Sequence, residues 1–194
     1  MKLIKLFHFG LSLLIVGCSA TPSATNYYLL NNQPSKSNAS SERRTVKEKI
    51  VVVKVNELPE YLEQPHLVMQ MADHQLHYAN FHMWAEPLKK GFTKALLADL
   101  SKQNSMSEFI AYDRDMNQDK LTKLVLSIDF FHASANSEVL LAGQYWMSSS
   151  DKNKQFKKQF FSFALTLEKN GYPHSIEKMR RLVSKLAEKI AAGI

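Results

Sequence analysis

Residues 51–100 read VVVKVNELPEYLEQPHLVMQMADHQLHYANFHMWAEPLKKGFTKALLADL, and nearly every kind of local structure in this chain is written there. Ile50 leads into Val51-Val52-Val53, a β-branched run that suits a buried strand. Pro59 and Pro65 bound a short irregular segment, because neither ring nitrogen can donate to a ladder. From His66 to Met71, Leu67, Met69 and Met71 alternate with Val68 and Gln70, which predicts a second strand. Ala72-Asp73-His74-Gln75 then reads as a tight turn, and Leu76 to Phe81 as the returning arm of a hairpin. Beyond Trp84 and Pro87, Leu88, Phe92, Leu96 and Leu100 recur every four residues beside Ala95, one apolar stripe of a helix. Lys89, Lys90, Lys94 and Asp99 are placed on its far side, and Pro87 fits a first turn that needs no N–H.

The pattern continues outward from there. Tyr27 to Leu30 is a compact apolar run suited to a first strand, and 31–49 turns polar around Pro34, a flexible loop. Glu108 to Tyr112 suits a short strand. Lys123 to Ala133 alternates Leu124, Leu126, Ile128 and Phe130 on one face. Asp129 then falls on the solvent side of that strand. Short connections link it to Glu138–Met147 and on to Gln155–Glu168, predicting an antiparallel meander. Met179, Leu182, Leu186 and Ile190 form a last helical stripe, with Ser175 as the expected N-cap and Gly193 near the end. The fold predicted is α+β: an antiparallel sheet of about six strands with two amphipathic helices packed on one face.

The amino terminus carries a different message. Lys2 and Lys5 precede an apolar stretch, Leu6 to Val16, of about eleven residues, the length of a signal-peptide core and too short to span a bilayer. Leu14-Ile15-Val16-Gly17-Cys18 resembles a bacterial lipobox, with small Gly17 before the cysteine. Residues 1–17 are therefore expected to be removed, and Cys18 to carry diacylglycerol and a further acyl chain such as palmitate. Two or more chains on one residue anchor stably. Residues 18–26 would be the lipidated tether and 27–194 a single periplasmic domain. Ser19 in place of Asp resembles an outer-membrane address.

With 194 residues, 45% of them hydrophobic and 22% charged, the chain is long enough for one well-filled core. Cys18 is its one cysteine, so neither an internal disulfide nor a cysteine metal cluster can form. The formal charge of +7 falls to +5 without Lys2 and Lys5, and the cations are spread along the chain with no nucleic-acid module. Such a balance reads first as a solvated lysine-rich surface, and also suits an anionic membrane surface or an acidic partner. His66, His74, His77 and His82 lie close in sequence but lack the spacing of a metal site, and read as exposed hairpin histidines. No G-x-S-x-G elbow or glycine-rich phosphate loop is present. No enzymatic activity and no metal are expected, and no cofactor beyond the covalent lipid at Cys18. Most aromatics belong to the core, with Phe131 or Phe160 as candidates for an exposed apolar surface on the face away from the helices.

Leu58-Pro59-Glu60-Tyr61-Leu62, then Gln64-Pro65 before a strand, then Trp84-Ala85-Glu86-Pro87-Leu88 also carry a resemblance. In order and spacing they are similar to the ABC-type transport auxiliary lipoproteins, the PqiC-like or YmbA-like group. Tyr27-Tyr28-Leu29-Leu30 resembles the start of the family's domain. The resemblance implies a lipoprotein of the Gram-negative outer membrane that works with a periplasmic MCE-domain protein in lipid transport between the two membranes. It also implies a ring-like homo-oligomer. Leu58, Pro59, Tyr61, Leu62, Pro65 and Trp84 are the candidate docking residues, or else residues that only set the fold. The alternatives are a lipid or lipopolysaccharide carrier with its own apolar cavity, and a structural lipoprotein that binds peptidoglycan.

Overall fold

The structure, a computed structural model, describes residues 24–31, 49–118, 120–149 and 157–193. The expected signal segment, Cys18 and most of the expected tether and of the 31–49 loop lie outside them. The order is β1 (Asn26–Tyr28), β2 (Lys49–Glu57), α1 (Glu60–Glu63), β3 (His66–Ala72), β4 (Gln75–Trp84), α2 (Leu88–Gln103), β5 (Ser107–Ala111), β6 (Thr122–Ser134), β7 (Glu138–Ser148), β8 (Gln159–Thr166) and α3 (Tyr172–Ala191). The two long helices pack together over one face of a single sheet, as their apolar stripes require.

That sheet is mixed and eight-stranded, which corrects the expected antiparallel six. The short connections do give antiparallel pairs, β3 with β4 and β6 with β7 and β8. The longer excursions through α1 and α2 return the chain in the same direction. As a result β2 lies parallel to both β5 and β6, β3 parallel to the end of β6, and β1 parallel to β4. Long connections are what parallel pairing needs.

Strand β6 organises everything. Along one edge it pairs with β7 over its whole length. Along the other it pairs with β2 through Thr122–Ser127 and with β3 only through Ala133 and Ser134. Between these contacts the sheet forks, and α1 occupies the fork. Opposite the fork, β6 carries a bulge: Ile128 faces Gly143 and Phe130 faces Ala142, leaving Asp129 as the extra residue. The bulge breaks the simple alternation. Leu124, Leu126 and Ile128 point at the helices as predicted, but Phe131, 0% exposed, takes the place expected for Phe130, which is 47% exposed. Phe131 packs edge-on against Phe92 of α2, with ring centroids 5.4 Å apart. Gly143 answers the bulge from β7. A Cβ there would sit 2.2 Å from the Ser127 carbonyl oxygen, so the crossing backbones demand glycine.

The helices hold two further corrections. Asp99 does not face solvent. It is buried between α2 and α3, where Arg180 grips it with both guanidinium nitrogens (Nη2 to Oδ1 2.7 Å) and Ser184 Oγ donates to Oδ2 at 2.8 Å. Burial alone would raise the Asp99 carboxyl; hydrogen bonds from Arg180 and Ser184, with the charges of Arg180 and Lys102, outweigh it and hold the group below its ordinary value. Helix α3 also starts a turn earlier than Ser175. Gly171, at φ 109°, turns the chain into it, and the Gly171 carbonyl accepts both the N–H and the hydroxyl of Ser175.

Candidate functional site

The Leu58–Pro65 segment lies against the fork of β6. Pro59 begins α1, its carbonyl accepting the Leu62 N–H at 2.8 Å, and Pro65 accepts the Trp84 N–H at 2.7 Å. Leu58, Leu62 and Trp84 are buried core residues. Tyr61 reaches across the fork and donates its hydroxyl to the Asp129 carbonyl at 3.2 Å, at the bulge residue. Its ring stands edge-on to His132, centroids 5.9 Å apart. Burial, then the nearby Asp129 and Tyr78, push the Tyr61 phenol up to about 12. His132 is buried in its turn, and burial pushes its imidazole down, only partly offset by its bond to the Ala133 carbonyl. Of the six residues singled out by resemblance, then, a partner can reach Pro59, Tyr61 and Pro65, whereas Leu58, Leu62 and Trp84 support them from beneath.

Strands β1, β3 and β4 form a wing beyond the fork. On its helix side His82 stacks on Tyr172, centroids 3.9 Å apart, and Tyr28 Oη lies 2.7 Å from His82 Nδ1. Burial first, then Tyr172, raise the Tyr28 phenol. On the opposite side His66 stands edge-on to Tyr78. The four clustered histidines are thus split between the two faces and a turn. Among the described residues no group of three or more His, Cys, Asp and Glu could hold a metal ion.

Two kinds of cavity bear on function. Beneath Trp84, between Leu62, Leu67, Phe131 and Met179, lies apolar space of about 20 Å³, roughly one water's worth. An open cleft of about 370 Å³ is lined by Lys54, Lys89 and Arg114 with Thr93 and Tyr112, and no carboxylate is among the described residues that line it. Lys54 already sits 4.6 Å from the centre of the Tyr112 ring, and Lys89 Nζ donates to the Asn56 carbonyl at 3.3 Å. Of the two aromatics proposed for an exposed surface, Phe160 is 73% exposed and Phe131 is not, because the bulge turned it inward. No helix among the described residues is long and apolar enough to cross a membrane.

A sequence model of the family described as ABC-type transport auxiliary lipoprotein component matches residues 28–191. The intermembrane transport lipoprotein PqiC of Escherichia coli strain K12 is 24% identical over 183 residues, 94% of this chain and 93% of that protein. Among solved structures, an uncharacterized protein superposes with a TM-score of 0.69 at 22% identity, covering 88% of this chain and 98% of its own. A Xanthomonas campestris protein follows with 0.59 at 11% identity, over 73% of this chain and 80% of its own. At such identities the structural likeness speaks to the fold alone.

Proposed function

This chain belongs to the ABC-type transport auxiliary lipoprotein family, and on that premise we propose that it serves as the outer-membrane-anchored auxiliary component of an intermembrane lipid-transport system. The family match over residues 28–191 carries the reading. Cys18 is its anchor, bearing the acyl chains that hold the domain at the periplasmic face of the outer membrane. Its partner is a periplasmic MCE-domain protein, met through Pro59, Tyr61 and Pro65 on the rim of the fork. The role is mechanical: the domain fixes the outer-membrane end of a conduit, without turnover and without a cofactor. A ring of identical copies suits that task.

Docking is favoured over carriage because the apolar space beneath Trp84 is small, and the larger apolar-lined clefts, of about 370 Å³ beside Leu29 and Pro173 and about 280 Å³ beside Leu167 and Gly171, are open to solvent. About 20 Å³ beneath Trp84 compares with roughly 300–1,000 Å³ in pockets that enclose small molecules.

The test is purification from native envelopes in mild detergent through a tag at the carboxyl end, with proteins and lipids identified together by mass spectrometry. An MCE-domain protein is expected, and is expected to be lost from a folded Pro59→Ala, Pro65→Ala variant. Stoichiometric lipid without a protein partner would overturn the docking role and make the protein a carrier.

A further inference from the structure

Strands β1, β3 and β4, of 3, 7 and 10 residues, contain no Asp, Glu, Lys or Arg. In a chain of which these residues make up 22%, that is a concentrated depletion. The wing is also poorly covered. Tyr27 pairs with Met83, and Phe81 lies two residues before Met83 on the same face of β4. Met83 pairs with His66 and Tyr78 with Val68, two residues further along β3, so an irregularity in β4 between Tyr78 and Met83 returns Tyr78 and Leu76 to the same outer face, where the His66 ring meets Tyr78. The two long helices lie on the opposite side, where α3 packs through Tyr172 and His82, and of α1 the Tyr61 side chain comes near Tyr78. Tyr27 is 66% exposed and Phe81 47%, with Tyr78 and Leu76 both at 38%. Leu29, 53% exposed, follows immediately.

We infer that this outer face of the wing is a second membrane contact, seated in the interfacial layer of the bilayer that holds the anchor. The inference rests on Cys18 being the lipidated anchor, and the position of the wing in the chain selects the occupant. Tyr27 is the ninth residue after Cys18. A fully extended chain spans at most about 3.3–3.6 Å per residue, so the patch is held within about 30 Å of the thioether. A tether of that length makes the second contact intramolecular, and an apolar patch too weak to bind a bilayer alone then suffices. The chemistry matches the interfacial layer. Tyrosines place an apolar ring and a polar hydroxyl at the boundary, and Phe81 and Leu76 supply apolar area. No Asp, Glu, Lys or Arg of the three strands would have to be desolvated on contact.

The test uses the full-length lipoprotein, processed and lipidated in cells, in vesicles of phosphatidylethanolamine and phosphatidylglycerol with or without brominated acyl chains. Phe81→Trp places a reporter on the patch and Phe160→Trp places one on β8, far along the sheet; the parent protein supplies the background of Trp84 and Trp146. Brominated chains are expected to quench the emission added at position 81 about twofold, as for a side chain a few ångströms below the headgroups, and to leave that added at 160 unchanged. Flotation with the vesicles and an intact mass showing acylation check the anchor separately. A protein that floats but is unquenched at 81, or equally quenched at both positions, overturns the membrane contact while leaving the anchor standing. Emission at 81 that shifts with protein concentration and ignores the vesicles assigns the patch to a second copy, and also overturns it. Failure to acylate and float removes the anchor, and the inference falls with it.

Discussion

The body of the molecule and its wing are built from the same kinds of strand, yet they solve opposite problems. In the body, β6, β7 and β8 with β2 and β5 bury one face under α2 and α3, and Phe131, Leu126, Leu141 and Leu182 are closed off from water. In the wing, β1, β3 and β4 share that helix cover on one face, through residues such as Leu67, Trp84, Tyr28 and His82, and Tyr27, Phe81, Tyr78 and Leu76 are left exposed on the other. The body spends its hydrophobic residues on stability. The wing keeps some of them for something outside the chain. The hinge between the two regimes is the fork in β6, where one bulge and one tyrosine hold the sheet's two arms.

The sharpest way to test the division is to delete a ring from the body. Phe131→Ala leaves a void against Phe92 and is expected to lower unfolding free energy by about 3–5 kcal/mol in urea titrations. A loss under about 1 kcal/mol would mean that α2 collapses onto the gap and the body is less tightly packed than its burial indicates.

Next comes the buried ion pair that ties the helices together. Asp99→Asn is expected to cost about 2 kcal/mol, because Arg180 loses its charged acceptor. The folded Asp99 carboxyl is held below its unfolded value, so its contribution is fully present above about pH 3.9 and fades as pH falls through the folded value. The variant's stability curve should lack that acid-side step. The ion-pair cluster at the start of α3 makes the contrast. Hydrogen bonds from Lys178, from its own backbone and from His174 lower Glu168 to about 2, yet Glu168 lies open to solvent. Added salt should raise the Glu168 value in NMR titrations and leave Asp99 nearly unmoved.

At the fork the expected effect is smaller. Tyr61→Phe removes the bond to the Asp129 carbonyl and should cost about 1 kcal/mol. The folded phenol is raised above its unfolded value, to about 12, so its contribution is intact below about pH 10 and lost as pH rises toward the folded value. Ultraviolet titration of the phenolates should show this step missing in the variant.

The wing's outer face should be the least sensitive. Phe81→Ser is expected to change unfolding free energy by no more than about 0.5 kcal/mol in the unanchored Cys18→Ala protein. A loss as large as that of Phe131→Ala would show that the ring is part of the core, and the comparison between body and wing would collapse.

Much of this molecule was legible in its residues, and the pattern of what was not is physical. The four-residue stripe of Leu88, Phe92, Leu96 and Leu100, the alternation of Leu124 to Ile128 and the Asp73-His74 turn are local signals, and each became the predicted helix, strand or hairpin. The Leu58–Pro65 segment was legible as a segment only. Its prolines announced an interruption, but nothing in Leu58-Pro59-Glu60-Tyr61-Leu62 says that the leucines turn inward while Tyr61 spans a fork. The exposed wing had a readable sign that went unused, the missing charges of β1, β3 and β4.

By itself the sequence determined which residues form strands and helices, which side of each is apolar, and which family the chain resembles. Periodicity can do this because it compares a residue with neighbours two, three or four positions away. Only the tertiary structure decided that β2 would run parallel to β5 and β6, that Asp129 would bulge, and that Phe131 rather than Phe130 would enter the core. Those outcomes depend on which backbone lies alongside another far away in the chain. A single unpaired residue in one strand then reverses the facing of every side chain after it.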